Sequence, residues 1–366
     1  MEHTGQDRLW IWLSSVAGMD AQTFYTLIAR FGDGEAVLFA KSDDPRLDSL
    51  PGSVRRGLQN AQKDAYIDAL FTTLETKGIR AVSRLDADYP APLHDILLPP
   101  PVLYVKGRFP LEWERMVTMV GSRRPTRYGL DAAFWLGKAL SEAGVGIVSG
   151  LARGIDARSH AGALEGTAPV AGVLGGGVDV IYPREHDRLY AAVAERGCLI
   201  SEYPPGTRPL PGHFPVRNRI LSGLGRAAVV VEAGARSGAL ITAEHALSQG
   251  KDVYAVPGSV FSPACAGSNR LLQDGAALLL KPEDLLEAYG WTKPDGVQAD
   301  QERLCPTDDP VQKKIFDYLV NEPVPFDDLA EALNMEAGEL NSYLTIMELS
   351  GIITQLPGRI FTLSRV

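Results

Sequence analysis

The segment VGSRRPTRYG sets Gly121 and Ser122 directly after an apolar run and crowds Arg123, Arg124 and Arg127 onto what reads as the start of a helix. That combination can hold phosphate. Glycine lets the backbone approach an anion closely, the free amides of a helix N-terminus carry partial positive charge, and a guanidinium offers a planar fork matched to phosphate oxygens. The plainer alternative is a turn made by Gly121 with solvated arginines. Three arginines within five residues at one strand-to-helix junction favour the phosphate.

The same design recurs downstream. SGLARGIDARSH supplies Gly150, Arg153 and Gly154, with Asp156 expected to cap the helix or orient Arg153, and His160 expected to be structural. VLGGGVDVIYPREHDRLY carries three glycines, Gly175 to Gly177, but lacks the G-x-G-x-x-G spacing and the acidic residue of a dinucleotide fingerprint, so no nicotinamide cofactor is expected. From Tyr203 to Val231 there are Arg208, Arg217, Arg219 and Arg226 and no Asp or Glu. At its centre, HFPVRNRILSG suits a single strand: a base can stack on Phe214 while Arg217 and Arg219, beside Asn218, take phosphates. Phe214 serves equally well as a core anchor for a Pro-rich loop. The fifth loop, VEAGARSGALITAEHAL, offers Arg236, Ser237, Gly238 and Thr242, with Glu232 expected to fix a neighbouring arginine; the sixth adds Gly267, Ser268 and Asn269.

Positioning these loops requires a repeating frame. Short apolar runs at Met116 to Val120, Val145 to Ser149, Pro169 to Leu174, Cys198 to Tyr203, Ala227 to Ala233, Asp252 to Gly258 and Ala276 to Leu280 alternate with helical patterns. That rhythm predicts an α/β fold, a Rossmann-like parallel sheet over 79 to 290, whose loops gather at the carboxyl edge where open α/β sheets bind ligands. Residues 1 to 78 read as a small helical domain of the helix-hairpin-helix or sterile-alpha-motif type, with Asp20 an N-cap candidate. The prolines between Tyr89 and Pro110 predict an extended connector. Residues 291 to 307 read as a flexible linker, and 308 to 366 have the three helices and strand-turn-strand of a winged-helix domain.

Bulk properties narrow the class. At 366 residues the chain can bury a large core and carry end modules. Cys198, Cys265 and Cys305 form no CxxC pair, so no metal and no disulfide framework is expected and a reducing compartment fits. Without an apolar leader or an 18-residue apolar run, the expectation is a cytoplasmic protein with no membrane insertion. The net charge of -9 argues against nucleic acid only on average. Asp295 to Ser350 holds 13 acidic residues against 3 basic ones, so the acidity sits in one end module.

Taken together, VGSR, SGLARGID, LGGGVDVIYP, ISEYPPG, FPVRNRILSGL, EAGARSGALITA and AGSNRLLQDGA resemble the DNA-processing protein A family (DprA, also called Smf) over Tyr89 to Tyr289. One departure is His186 in PREHDRLY, where the family usually shows Asn. The resemblance implies a non-enzymatic protein without a cofactor that binds incoming single-stranded DNA in natural transformation (competence) and homologous recombination, shields it, and loads the RecA recombinase. It also implies a homodimer formed through the Rossmann-like domain. The phosphate role then falls on Gly121, Ser122 and Arg123, with Arg217, Asn218 and Arg219 next and Phe214 stacking. In the winged helix, Glu336 to Leu349 has three Glu and no Lys or Arg, which opposes major-groove reading and favours a protein contact.

Two other classes remain in view. Related Rossmann-like hydrolases cleave nucleoside monophosphates with a PGGxGTxxE loop, but EAGARSGALITAE lacks the double glycine, and Glu244 follows Thr242 by two residues instead of three. A winged-helix transcriptional regulator would need a basic tail rather than an acidic one.

Overall fold

The computed structural model describes residues 5–110, 112–291, 307, 309–320 and 323–363. The expected linker, 291 to 307, lies outside the described residues apart from its two ends. The chain divides into two compact units, 1–297 and 298–366.

The first unit opens with five helices: α1 Gly5–Ser14, α2 Ala21–Phe31, α3 Gly34–Leu38, α4 Gly52–Ala61 and α5 Asp64–Thr76. Asp20 caps α2 by accepting the Thr23 amide at 2.7 Å, which supplies an acceptor for one of the orphan amides of that helix start. Trp12, Leu13, Phe24, Leu27, Val37 and Leu58 form a core of their own. The helices are nevertheless docked onto the sheet behind them. Ile11 and Leu74 belong to the sheet's apolar cluster, and the buried Ser83 hydroxyl bonds the Asp7 carboxylate at 2.6 Å.

The sheet contains β1 Arg80–Ser83, β2 Val102–Gly107, β3 Met116–Val120, β4 Gly146–Ser149, β5 Val170–Val173, β6 Cys198–Ser201, β7 Ala227–Val230, β8 Asp252–Ala255 and β9 Ala277–Leu278. Between them run α6 Arg127–Glu142, α7 Ile155–Glu165, α8 Asp187–Arg196, α9 His213–Leu224, α10 Ala239–Ser248 and α11 Ala266–Gln273, with α12 Pro282–Ala288 following β9. The order is β1-β2-β6-β5-β4-β3-β7-β8-β9, parallel from β6 to β9. Each of the seven apolar runs supplies its strand. β3 to β7 are buried along their whole length, as parallel strands covered by helices on both faces must be. Residues from α6, α7, α8 and α12 share one core with Val117, Met119 and Ile147; those from α9 and α10 share the other with Met116, Val120 and Val148.

The connector expected between Tyr89 and Pro110 is instead part of this sheet. β2 pairs antiparallel with both β1 and β6, Tyr104 standing opposite Ser201. The prolines flank the strand and do not interrupt it, so VLYV keeps every ladder amide and buries all four side chains. Upstream, Tyr89, Leu93 and Ile96 enter the core on the α9 side.

The chain starts the parallel part at β3, builds outward through β4, β5 and β6, then returns to β3's other side for β7, β8 and β9. The order therefore reverses between β3 and β7. Loops leaving the carboxyl ends of those two strands diverge there and leave a crevice.

The second unit has the expected winged-helix order: α13 Pro310–Leu319, β10 Val324–Pro325, α14 Phe326–Leu333, α15 Ala337–Leu349, β11 Ile353–Leu356 and β12 Ile360–Leu363, with β12 central in a small antiparallel sheet. Ile315, Leu329, Leu340, Leu344, Met347 and Phe361 fill its core. Among the described residues, no helix is long and apolar enough to cross a membrane.

Candidate nucleic-acid interface

The crevice at the switch point is a groove of about 660 Å³ lined by the loop after β3 (Gly121 to Arg124), the start of α9 (Phe214, Arg217, Asn218) and the loop after β7 (Gly234 to Thr242), with Asp156 and Tyr182. Five segments that lie far apart in sequence thus meet at one sheet edge.

Its shape depends on how closely the loops are stitched together. The Ser122 amide donates to the Glu232 carbonyl at 2.7 Å, and the Ile155 amide to the Ser122 carbonyl at 3.1 Å. Gly154 has φ +80, and a Cβ there would stand 2.3 Å from the Ser122 carbonyl oxygen; a Cβ on Gly121 would stand 2.5 Å from Ile155. Only glycine admits that approach. The buried Glu232 carboxylate accepts the Thr126 amide at 2.9 Å and the Thr126 hydroxyl. It therefore fixes the N-cap residue of α6 and not an arginine, contrary to expectation: Thr126 in turn accepts the Gly129 amide.

Arg123, Arg124 and Arg236 line the groove with exposed side chains. The Arg123 guanidinium lies over the Phe214 ring, 5.0 Å from its centre, and Tyr182 stands 5.7 Å from the same ring, tilted 40°. Phe214 is half-buried, so part of its ring faces the groove. An aromatic ring flanked by free guanidiniums matches what a base with its phosphate requires. Gly238 ends the β7 loop as the N-cap of α10; having no side chain to cap with, it leaves that role to Ser237, whose hydroxyl accepts the Ala239 amide at 3.3 Å, and the positive end of the helix lies at the groove wall. Ser237 and the buried Thr242 line the same wall.

The two α9 arginines differ from expectation. Arg217 is 4% exposed; its guanidinium donates to the Gly150 carbonyl at 3.1 Å and to the Val173 carbonyl. It reaches the groove as a lining residue, but its Nη1 is spent on the strand ends. Asp156 lies against it, accepting the Gly150 amide at 3.2 Å. Burial pushes the Asp156 carboxyl upward, and the Arg217 charge opposes that. Burial likewise draws the Arg217 guanidinium down, Asp156 opposing. Arg219 does not line the groove at all. Two positions along a helix turn a side chain through about 200°, and Arg219 pairs instead with the largely buried Glu202 at 2.6 Å. Asn218 lines the groove, with its amide 3.4 Å from the Gly238 carbonyl.

Other expectations are also revised. Arg153 pairs with Glu185 at 2.5 Å on the exterior and is not oriented by Asp156. Gly150 and Gly154 shape the groove from behind without lining it. Gly267, Ser268 and Asn269 are engaged internally: Gly267 and Ser268 donate their amides to the Ala233 carbonyl, and the Asn269 side chain grips Gly258. His186 bonds the Leu151 carbonyl at 3.0 Å and so supports the second loop. His160 is fully buried, and burial holds its imidazole down at about 4. Tyr182 and Asp156 escaped attention as groove residues. Tyr182 sits in the quoted GGGVDVIYP segment, where an aromatic in a glycine-rich loop at the binding edge was a usable signal; nothing local marks Asp156.

Comparison with known proteins agrees with this architecture. The family model described as DNA recombination-mediator protein A matches residues 80–290, and one described as the DprA winged helix domain matches residues 299–359. The chain is similar to the DNA processing protein DprA of Bacillus subtilis, 43% identical over 63% of this chain and 78% of that one. Protein Smf of Synechocystis is 34% identical over 75% of this chain and 77% of its own. Among solved structures, DNA processing protein A from Streptococcus pneumoniae superposes with a TM-score of 0.63 at 32% identity, covering 78% of this chain and 98% of that one. DNA processing protein A from Helicobacter pylori, solved for its single-stranded DNA binding mode, gives 0.51 at 26% identity, covering 58% and 95%. With its sheet domain matched throughout and its winged helix matched separately, the chain belongs to the DNA recombination-mediator protein A family.

Proposed function

We propose that the switch-point groove binds single-stranded DNA, base on Phe214 and backbone on Arg123, Arg124 and Arg236, and that the protein acts as a recombination mediator in the cytoplasm. The observation that carries this is the Arg123 guanidinium 5.0 Å over a half-exposed Phe214 ring inside a groove ringed by free arginines. The Helicobacter pylori relative's single-stranded DNA binding supports it. Stacking and phosphate contacts do not read base edges, so little sequence preference is expected.

The role is non-catalytic in this reading. The carboxylate lining the groove, Asp156, is held by Arg217 and backbone amides instead of by a nucleophile it could activate. Delivery of the strand to the RecA recombinase and pairing of two copies through the Rossmann-like domain complete the proposal. The winged helix serves as a protein contact: α15 has Glu336 as its N-cap residue, carries Glu339 and Glu348, and exposes Ile346 and Leu349.

The test is binding of a labelled single-stranded oligonucleotide by the wild type and by Arg123→Ala and Arg236→Ala. Each loss of a phosphate contact is expected to weaken binding severalfold; unchanged affinity in both variants overturns the groove assignment.

A further inference from the structure

The loop between β8 and α11 ends in an apolar tip that the groove alone does not explain. Phe261 is 93% exposed and Val260 84%, the most exposed large apolar side chains described in this unit. Neither gains anything by folding in that position, yet the loop beneath them is firmly built. The Asn269 side chain grips Gly258 from both sides, accepting its amide and donating to its carbonyl at 3.0 Å each. The Ser262 amide closes a turn onto the Ser259 carbonyl at 3.0 Å, and the Phe261 amide reaches the Ser259 hydroxyl at 3.3 Å. A fastened base with bare apolar residues at its apex is a presented surface.

Its place in the sheet says what it is presented to. β8 runs parallel to β7, so the loop after β8 lies beside the loop after β7 on the same edge as the groove. The first turn of α11, which ends this loop, is tied to the loop after β7: Gly267 and Ser268 donate to the Ala233 carbonyl at 2.7 and 3.1 Å. Tyr128, from the start of α6, donates to the Pro257 carbonyl at 2.7 Å with half its side chain exposed. The exposed Arg236 on the β7 loop stands at the groove's rim on this side.

We propose that Phe261 is a second stacking site for single-stranded nucleic acid, engaged by a strand that leaves the groove past Arg236; this rests on the groove itself binding such a strand. A ring and one neighbouring side chain match the face of a single base. They offer far less apolar area than the roughly 800 Å² per partner that a stable protein interface buries.

The experiment compares two oligothymidylates, about six and about twenty nucleotides long, the shorter within the span of one compact single-strand site. Phe261→Ala is expected to leave the shorter oligonucleotide's affinity unchanged and to weaken the longer by about tenfold, the loss of one stacked base. In Phe261→Trp the longer oligonucleotide retains its affinity and quenches the added indole emission, whereas the shorter does not quench it. Equal affinities for wild type and Phe261→Ala on the longer strand overturn the proposal, as does an equal loss on both lengths. A fall in the sedimenting mass of Phe261→Ala without DNA also overturns it, marking the tip as a contact between copies of the chain. Arg123→Ala separates the two ideas: if it binds the shorter oligonucleotide as wild type does, the groove reading fails whatever Phe261 does.

Discussion

Arg217 and Arg219, two residues apart on α9, point to opposite sides of the helix: one reaches the Gly150 carbonyl beneath the groove, the other the Glu202 carboxylate 2.6 Å away in the interior. One arginine thus supports the binding edge while the other anchors the helix that presents Phe214. Removing either partner of the Arg219–Glu202 pair strands a buried charge.

Glu202→Gln and Arg219→Met are therefore each expected to destabilise the protein by roughly 3–5 kcal/mol in denaturant unfolding. The double variant Glu202→Gln with Arg219→Met should recover much of that loss, because no buried charge is then left alone. Strictly additive losses would show that the pair does not act as a unit.

Phe214→Ala is expected to cost about 1–3 kcal/mol in single-strand binding, with Phe214→Trp close to wild type. Both variants are to be compared by fluorescence anisotropy at one fixed salt concentration. Equal affinity of Phe214→Ala and wild type would reassign the ring to a packing role.

Thr126→Ala removes the cap of α6 and the hydroxyl contact to Glu232, leaving only the backbone amide on that carboxylate. Loss of an N-cap typically costs about 1 kcal/mol, and here the untied loop after β3 should also weaken DNA binding. Thr126→Ser keeps the hydroxyl and should restore both. If Thr126→Ala lowers the melting temperature but leaves affinity intact, the cap does not order the groove.

His160 supplies a pH signature. Burial holds it at about 4 in the folded state, against an ordinary value of 6.5. The unfolded chain therefore binds more protons between these values, and stability falls as pH drops from about 6.5 to about 4, by up to roughly 3 kcal/mol. His160→Leu should flatten that part of the stability–pH curve. An unaltered slope would contradict the neutral, buried imidazole.

The isolated 298–366 unit, which has its own core, is expected to bind duplex DNA weakly, because Glu336, Glu339 and Glu348 repel phosphate along α15. Tight binding that weakens steeply with salt would make it a DNA-reading module.

Much of this was legible in the sequence because the relevant signals are local. Apolar runs, most of them bounded by glycine, serine or proline, located β3 to β9, and Asp20 announced its own helix. Gly121, Arg123, Phe214 and Gly238 fell where the groove is. What escaped was the direction of side chains and long-range pairing. Arg217, Asn218 and Arg219 read alike along the chain, yet helical geometry sends Arg219 to Glu202, a partner 17 residues away. The Tyr89 to Pro110 prolines masked β2, whose partner β6 lies roughly a hundred residues on. Glu232 looked like an arginine's counter-ion because only the fold brings Thr126 to it across 106 residues.

The central claim is that phosphates are held by guanidiniums at the carboxyl edge between β3 and β7. It is tested most directly by the salt dependence of single-strand binding for wild type, Arg123→Ala and Arg226→Ala. Arg226 is also exposed, but it precedes β7 and stands at the opposite edge of the sheet. Plotted as log affinity against log salt, Arg123→Ala should lose about 0.7 of the slope, one phosphate's share for a single strand, while Arg226→Ala keeps the wild-type line. Superimposable lines for wild type and Arg123→Ala would contradict the account.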